Sequence, residues 1–326
     1  MRQRRRFLAA AGAAMVGASL EAFAQTKQYR IGFLAPDSFD PATDPFLKAM
    51  VEGLRERGYV IGKNLQLDLR SAAGRYERMP ALATELVDSK PDVLASVGTP
   101  GVAALKNATK TIPIVMVASG DALATGLVAN LASSGNNVTG ATFFGKELML
   151  KRLQLMKDVV PGMQHVAVLV NGVNQTTESN MRAMTDSAKP LKIELRQFDV
   201  RGAKDIPAAF GAIRAAKAQA LVLFEEAALY VNAKAIADLA LQQRLPSAAF
   251  PDFASQGGLI GYGANFPAMF RRAGHFFDKI LKGEKPANIP VERPDTFDLV
   301  VNLKTARALK IRLPQSILGS ANQVIQ

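Results

Sequence analysis

The residues of this chain that could meet a ligand are polar or aromatic groups at the carboxyl ends of short apolar runs. Ser38 and Phe39 follow YRIGFLAP, Thr99 follows DVLASVG, and Ser119-Gly120-Asp121 follows the run PIVMVA. Asn171 closes VAVLVN with Asn174 three residues on, Glu225-Glu226 ends ALVLFE, and Phe250, Asp252 and Phe253 close the series. In open α/β sheets, ligands bind in the crevice beyond such strand ends. Thr99 opens a helix. Its hydroxyl reads either as a plain cap or as a cap that leaves backbone N–H groups for a carboxylate. Ser119 and Asp121 carry the same two readings. A carboxylate at Glu225 suits a ligand ammonium, against a solvated loop pair. Asn171 suits a turn as readily as a ligand contact. An aromatic and a carboxylate at Phe250 and Asp252 suit a cleft floor. The ligand-binding candidates are therefore Ser38, Phe39, Thr99, Ser119, Asp121, Asn171, Glu225, Phe250 and Asp252.

Catalytic constellations are missing. The chain has no G-x-S-x-G elbow, no G-x-x-x-x-G-K-[ST] loop and no G-x-G-x-x-G fingerprint. Glu225 and Glu226 are adjacent, and neighbours on an extended strand point to opposite faces, so they do not flank one bond. The two histidines, His165 at a strand start and His275 within a helix, read as structural and are too few for a His-rich metal site. No cysteine is present, which removes disulfides and thiolate metal sites. The expectation is a protein that binds without catalysis, metal or cofactor.

The elements that must position these groups alternate strand and helix. Strands are predicted at 29–36, 65–69, 92–98, 113–118 and 137–143, with helices at 44–57, 76–89, from Thr99, and 146–159. Pro161-Gly162 punctuates the chain and the rhythm restarts. Strands are predicted at 166–171, 193–200, 220–225, 247–250, 257–263 and 297–301, with helices at 176–188, 205–216, 230–243 and 268–282. Two successive series imply two doubly wound, Rossmann-like α/β lobes with a ligand cleft between them. The expected division is a leader at 1–24, a first lobe of 25–143 plus about 262–292, and a second of 144–261 plus about 293–326.

The leader itself is legible. Arg2, Arg4, Arg5 and Arg6 precede an uncharged run, FLAAAGAAMVGASL, and Ala22-Phe23-Ala24 offers the small-x-small pattern of a signal-peptidase site. That run is too short and too rich in Ala and Gly to span a bilayer. Arg4-Arg5-Arg6-Phe7-Leu8 fits a twin-arginine signal as well as an ordinary basic head. Without cysteine there is no lipoprotein anchor, so the expected location is the periplasm. The formal charge is +12, which raises the odds of an anionic partner. The basic residues are scattered over helix faces without interleaved aromatics, and nucleic-acid binding is not expected.

Longer motifs resemble a known family. Glu52-Gly53-Leu54-Arg55-Glu56-Arg57-Gly58-Tyr59-Val60, followed by Gly62-Lys63-Asn64, is similar to a segment of ABC-transporter substrate-binding proteins of the tryptophan/tyrosine type. The likeness continues through Gly98-Thr99-Pro100, Ile112-Pro113-Ile114-Val115, Asn137-Val138-Thr139-Gly140, Lys151-Arg152-Leu153, Arg244-Leu245-Pro246 and Val301-Asn302-Leu303-Lys304-Thr305-Ala306. It implies a type I periplasmic-binding-protein fold and hinge closure on an amino acid or small carboxylate. It also implies delivery to a cognate ABC permease and, through it, a cytosolic ATPase, and the expected carrier is a monomer with one site. A sensory protein signalling to a membrane receptor or kinase is the alternative, and a periplasmic enzyme on the same fold a further one. Ala122 and Gly172 stand where relatives commonly carry proline, and Pro251-Asp252-Phe253 lacks an arginine many carry. The chain has no tryptophan, so aromatic stacking falls to Phe and Tyr.

Overall fold

Runs of β-branched and aliphatic residues make the strands. In a computed structural model, which describes residues 27–38, 43–143, 145–174 and 176–326, they assemble into two sheets. The leader and Phe39 lie outside the described residues. β1 (Tyr29–Ala35), β2 (Leu65–Ser71), β3 (Val93–Val97), β4 (Ile114–Gly120) and β5 (Val138–Phe143) form a parallel sheet in the order β2-β1-β3-β4-β5. β4 and β5 are nearly continuous buried runs, as strands covered on both faces must be.

The second sheet contains β6 (His165–Val170), β7 (Glu194–Asp199), β8 (Ala220–Leu223), β9 (Ser247–Ala249), β10 (Ile260–Ala264), β11 (Phe297–Asn302) and β12 (Gln323–Ile325). Its order is β12-β11-β10-β9-β8-β6-β7, with β10 and β11 antiparallel and the other pairs parallel. Strand order reverses between β1 and β3 in one sheet and between β6 and β8 in the other. Those reversals open crevices at the carboxyl ends of the four strands, and the two lobes present them to one shared cavity.

One helix leaves its own neighbourhood to complete the other lobe. Phe266–Leu281 follows β10 directly, capped by Asn265, whose side chain accepts from the Ala268 N–H at 2.9 Å. Its apolar face, including Phe270, Phe276, Phe277 and Ile280, is buried in the core of the first sheet rather than the second. Each such side chain contributes about 1.5–3 kcal/mol of apolar burial. It crosses the helix Pro45–Arg55 so closely that backbone meets backbone. A Cβ on Gly53 would stand 2.0 Å from the carbonyl oxygen of Arg271, and one on Gly274 2.3 Å from that of Gly53.

The chain returns by a strap on the edge of β5. Glu292 N–H donates to Gly140 O at 2.9 Å, and Thr142 N–H donates to Glu292 O at 2.9 Å, before β11 rejoins the second sheet. With the passage after Phe143, the polypeptide crosses between lobes three times.

Five features depart from the alternation. The helix predicted over 230–243 is broken at Asn232, whose amide donates to Ala228 O at 2.7 Å, into Ala227–Val231 and Ala233–Gln242. Pro251–Ser255 winds into a short helix, with proline suited to its first turn. Leu303–Leu309 and Gln315–Ser320 are helical, and β12 closes the sheet. Among the described residues no helix is long and apolar enough to cross a membrane.

The glycine crossing is testable by urea denaturation. Gly274→Ala should cost about 1–3 kcal/mol, because the new methyl meets backbone that cannot yield. Gly211→Ala, in the helix Ile206–Ala215 with nothing within 4 Å of the new Cβ, should be neutral or stabilising by up to about 1 kcal/mol. Equal effects at both positions would refute the backbone contact.

Candidate functional site

The cavity between the lobes has a volume of about 1080 Å³. On the first-lobe side its wall begins where β3 ends. Gly98, at φ +75°, turns the chain and occupies the cap position of the helix Thr99–Ala108, which has no side-chain cap. The Thr99 hydroxyl therefore does not cap its own helix. It shares a hydrogen bond with Ser119 Oγ at 3.3 Å and lies 3.4 Å from the Gly120 carbonyl. Gly98, Thr99 and Pro100 all line the cavity, so the open start of this helix faces it. Ser119 is buried behind Thr99, outside the wall, and its carbonyl accepts from Thr142 Oγ1 at 3.0 Å. Asp121 lines the wall while its Oδ1 accepts from Ala124 N–H at 3.1 Å, a turn cap. Ser38 is exposed, donates its N–H to Asp37 Oδ1 at 2.7 Å, and is not part of the wall.

On the second-lobe side, β8 stops at Leu223, two residues before the paired glutamates. They sit in a bend, so strand alternation does not separate them, and both line the cavity. This corrects the expectation that they face apart. The Glu225 carboxylate pairs with Arg152, which is fully buried and also donates to Tyr262 O at 2.8 Å and Leu223 O at 2.9 Å. Burial pushes the Glu225 carboxyl up, against the pull of Arg152. Glu226 is buried too, and its Oε1 accepts from Asn174 Nδ2 at 2.8 Å. Above all, burial drives its pKa up to about 8; the Glu225 charge adds to this and the Asn174 amide opposes it. Asn171 is buried outside the wall. Its side-chain oxygen accepts from Val173 N–H, and its carbonyl accepts from Thr177 Oγ1 at 2.7 Å.

Aromatic rings complete the enclosure. Tyr230 stacks on Phe250 with ring centroids 3.4 Å apart and planes 14° from parallel. Its edges meet Phe46 and Phe266, at 5.7 and 5.4 Å, which belong to the first-lobe side. Phe270 packs on Phe46 and Phe143 on Phe266. All six rings line the cavity, which they bridge from both lobes, and the Tyr230 hydroxyl is buried without a hydrogen-bond partner. Asp252, on the wall, begins the turn after Phe250. Among the described residues no group of three His, Cys, Asp or Glu could hold a metal ion.

The expected site thus converges in part: Thr99, Asp121, Glu225, Phe250 and Asp252 share the wall. Sequence reasoning missed Glu226 as a separate group, Arg152, and the rings of Phe46, Phe143, Tyr230, Phe266 and Phe270. A signal for Arg152 existed. It falls on the apolar stripe of its helix with Met149, Leu153 and Met156, where a charge needs a buried partner.

The chain is similar to known proteins in sequence and in fold. The family model described as ABC transporter substrate binding protein matches residues 38–325. A tyrosine-binding protein of Clostridioides difficile (strain R20291) is 25% identical over 273 residues, 83% of this chain and 78% of that one. The crystal structure of an ABC domain from Streptococcus pneumonia in complex with L-Trp superposes with a TM-score of 0.82 at 24% identity, covering 92% of this chain and 100% of that one. The ligand-free, open structure of a substrate binding protein with adhesive properties from Clostridium difficile gives a TM-score of 0.63 at 24% identity, covering 91% and 99%.

The raised Glu226 carboxyl has a stability signature. The folded chain keeps a proton that the unfolded chain releases above its ordinary 4.5. Stability contributed by this group is therefore present below about pH 4.5 and declines toward pH 8, by about 1.4 kcal/mol per pH unit. Glu226→Gln keeps the acceptor for Asn174 and removes the titration. Its melting point should exceed that of the unmodified protein by more at pH 8 than at pH 5. An identical difference at both pH values would exclude the shifted carboxyl.

Proposed function

Since this chain belongs to the ABC transporter substrate-binding protein family, we propose that its cleft closes on one small molecule and hands it to an ABC permease driven by a cytosolic ATPase. The observation that carries this reading is the cluster of six packed aromatic side chains, drawn from both lobes, on the wall of one cavity. A ligand that touches both halves favours the closed arrangement by its differential affinity, and no chemical step is needed. The three crossings between lobes serve as the hinge. At equal identity, the structure superposes better on the L-Trp complex than on the ligand-free open relative, which supports a chain folded around a closed cleft.

The ligand that fits best is an aromatic amino acid. Its ring lies among the rings of the cavity, and its carboxylate meets the N–H groups at the uncapped start of Thr99–Ala108. The two relatives named for tyrosine and for L-Trp support this choice. The chain works as a monomer in the periplasm, brought there by the leader that ends near Ala24, and binds without turnover.

Thermal unfolding with L-tyrosine or L-tryptophan tests the proposal. At a hundred times the dissociation constant, ligand adds about 2.7 kcal/mol to the folded state and raises the melting point by several degrees. Small-angle scattering should record a smaller radius of gyration with ligand, and Phe250→Ala should weaken binding about tenfold or more. No shift with any amino acid, or conversion of the ligand to product, would sink the reading.

A further inference from the structure

The charged groups of the cavity wall have one sign. Asp44, Glu77, Asp121, Glu225, Glu226 and Asp252 line it, and among the described residues no lysine, arginine or histidine does. This is not inherited from the chain, whose net charge is +12. The buried guanidinium nearby, Arg152, is no part of the wall; it is engaged by Glu225 and by two backbone carbonyls. Three of the carboxylates also have local tasks. Asp44 caps the helix Pro45–Arg55 through Leu47 N–H at 2.8 Å, Asp121 caps a turn, and Glu225 holds Arg152.

Glu226 is different. It is 6% exposed, its side-chain partner is the neutral amide of Asn174, and among the described residues no cation pairs with it. The Tyr230 hydroxyl, on the same wall, is likewise buried and without a partner. A buried acid without a countercharge beside an unpartnered phenol, enclosed by six rings, is a site short of one cation and one polar contact. The faces of those rings also favour positive charge.

Resting on the reading of this cleft as the ligand site, we propose that it recognises the ammonium of an aromatic amine through Glu226, and that the ligand's carboxylate is dispensable. Arylalkylamines are then ligands in their own right, and aromatic acids without an amine are rejected. An acid without an amine would bring a seventh carboxylate to a wall whose only partner for it, among the described residues, is the helix start at Thr99, and would leave Glu226 without a countercharge, whereas an amine supplies one.

A proton balance follows. In the empty cleft Glu226 holds its proton at pH 7, kept there by burial and by Glu225 on the same bend. Asn174 faces it after β6. From the first lobe comes Tyr76, whose phenol is raised chiefly by burial and also by the Glu226 charge. An arriving ammonium keeps its own proton and pairs with the ionised carboxylate, so the Glu226 proton leaves to solvent. Up to about one proton is released per ligand, and affinity rises by up to about tenfold per pH unit as far as pH 8.

Isothermal titration of the purified protein at pH 7 with L-tyrosine, tyramine and 4-hydroxyphenylacetate, each in phosphate and in Tris, separates the outcomes. Tyramine should bind within about tenfold of L-tyrosine and 4-hydroxyphenylacetate at least about 100-fold more weakly. The heats in the two buffers should differ by the ionisation of about one proton. Glu226→Gln should bind tyramine at least about tenfold more weakly and release no proton. L-tyrosine binding while tyramine does not, or 4-hydroxyphenylacetate binding as tightly as L-tyrosine, overturns this inference and leaves the amino-acid reading standing. Unchanged tyramine affinity and proton release in Glu226→Gln, with its melting curve intact, overturns the role of Glu226. If none of the three binds and the indole series of L-tryptophan, tryptamine and indole-3-acetate does not either, the amino-acid reading falls with it.

Discussion

Two helix backbones meet at Gly53 and Gly274, and much of the architecture depends on that contact. It draws Phe266–Leu281 away from the sheet it follows and onto the core of the other. Phe266 and Phe270 travel with the helix and become part of the cavity wall, facing Tyr230 from the opposite lobe. A side chain at either glycine would separate the helices, and with them the rings. The aromatic enclosure is thus a consequence of a backbone approach about two turns further along the same helix.

The polar part of the site obeys a different constraint. Arg152 is fully buried, so its charge demands a carboxylate and its remaining N–H groups demand acceptors. Glu225 and the carbonyls of Leu223 and Tyr262 meet both demands, and they fix the end of β8 against β10. Removing one member of such a pair strands the other, at a cost of about 3–5 kcal/mol. Glu225 is held rigid by this duty, and the next residue is left facing the cavity with only an amide beside it. Rigidity at one glutamate and a buried acid with only an amide partner at its neighbour come from the same short bend.

Local patterns made most of the elements legible. Continuous apolar runs marked β1, β3, β4, β6 and β8, and Gly58 and Gly283 follow the ends of two helices. What failed to show lay at the ends of elements or between them. Alternation assigned Glu225 and Glu226 to opposite faces because it assumed a strand that stops at Leu223. Thr99 looked like a cap because hydroxyls favour that position, yet Gly98 takes it with a left-handed φ. The six rings come from positions 46, 143, 230, 250, 266 and 270, and no local period links residues so far apart. Leu303–Leu309 and β12 complete an edge whose pairing is set by tertiary contacts rather than local preference.

The strap at Glu292 and the helix before it have a consequence in time. The first sheet ends at Phe143, but its core lacks the Phe266–Leu281 helix until more than a hundred further residues have been made. Its edge strand β5 also waits for Glu292 to pair with Gly140 and Thr142. Contacts so distant along the chain close slowly, since loop entropy opposes them until late. Neither lobe can reach its final core as a separate unit during synthesis. The last core contacts of both lobes, and with them the finished cleft, therefore come only once the late helix and the late strands have been made.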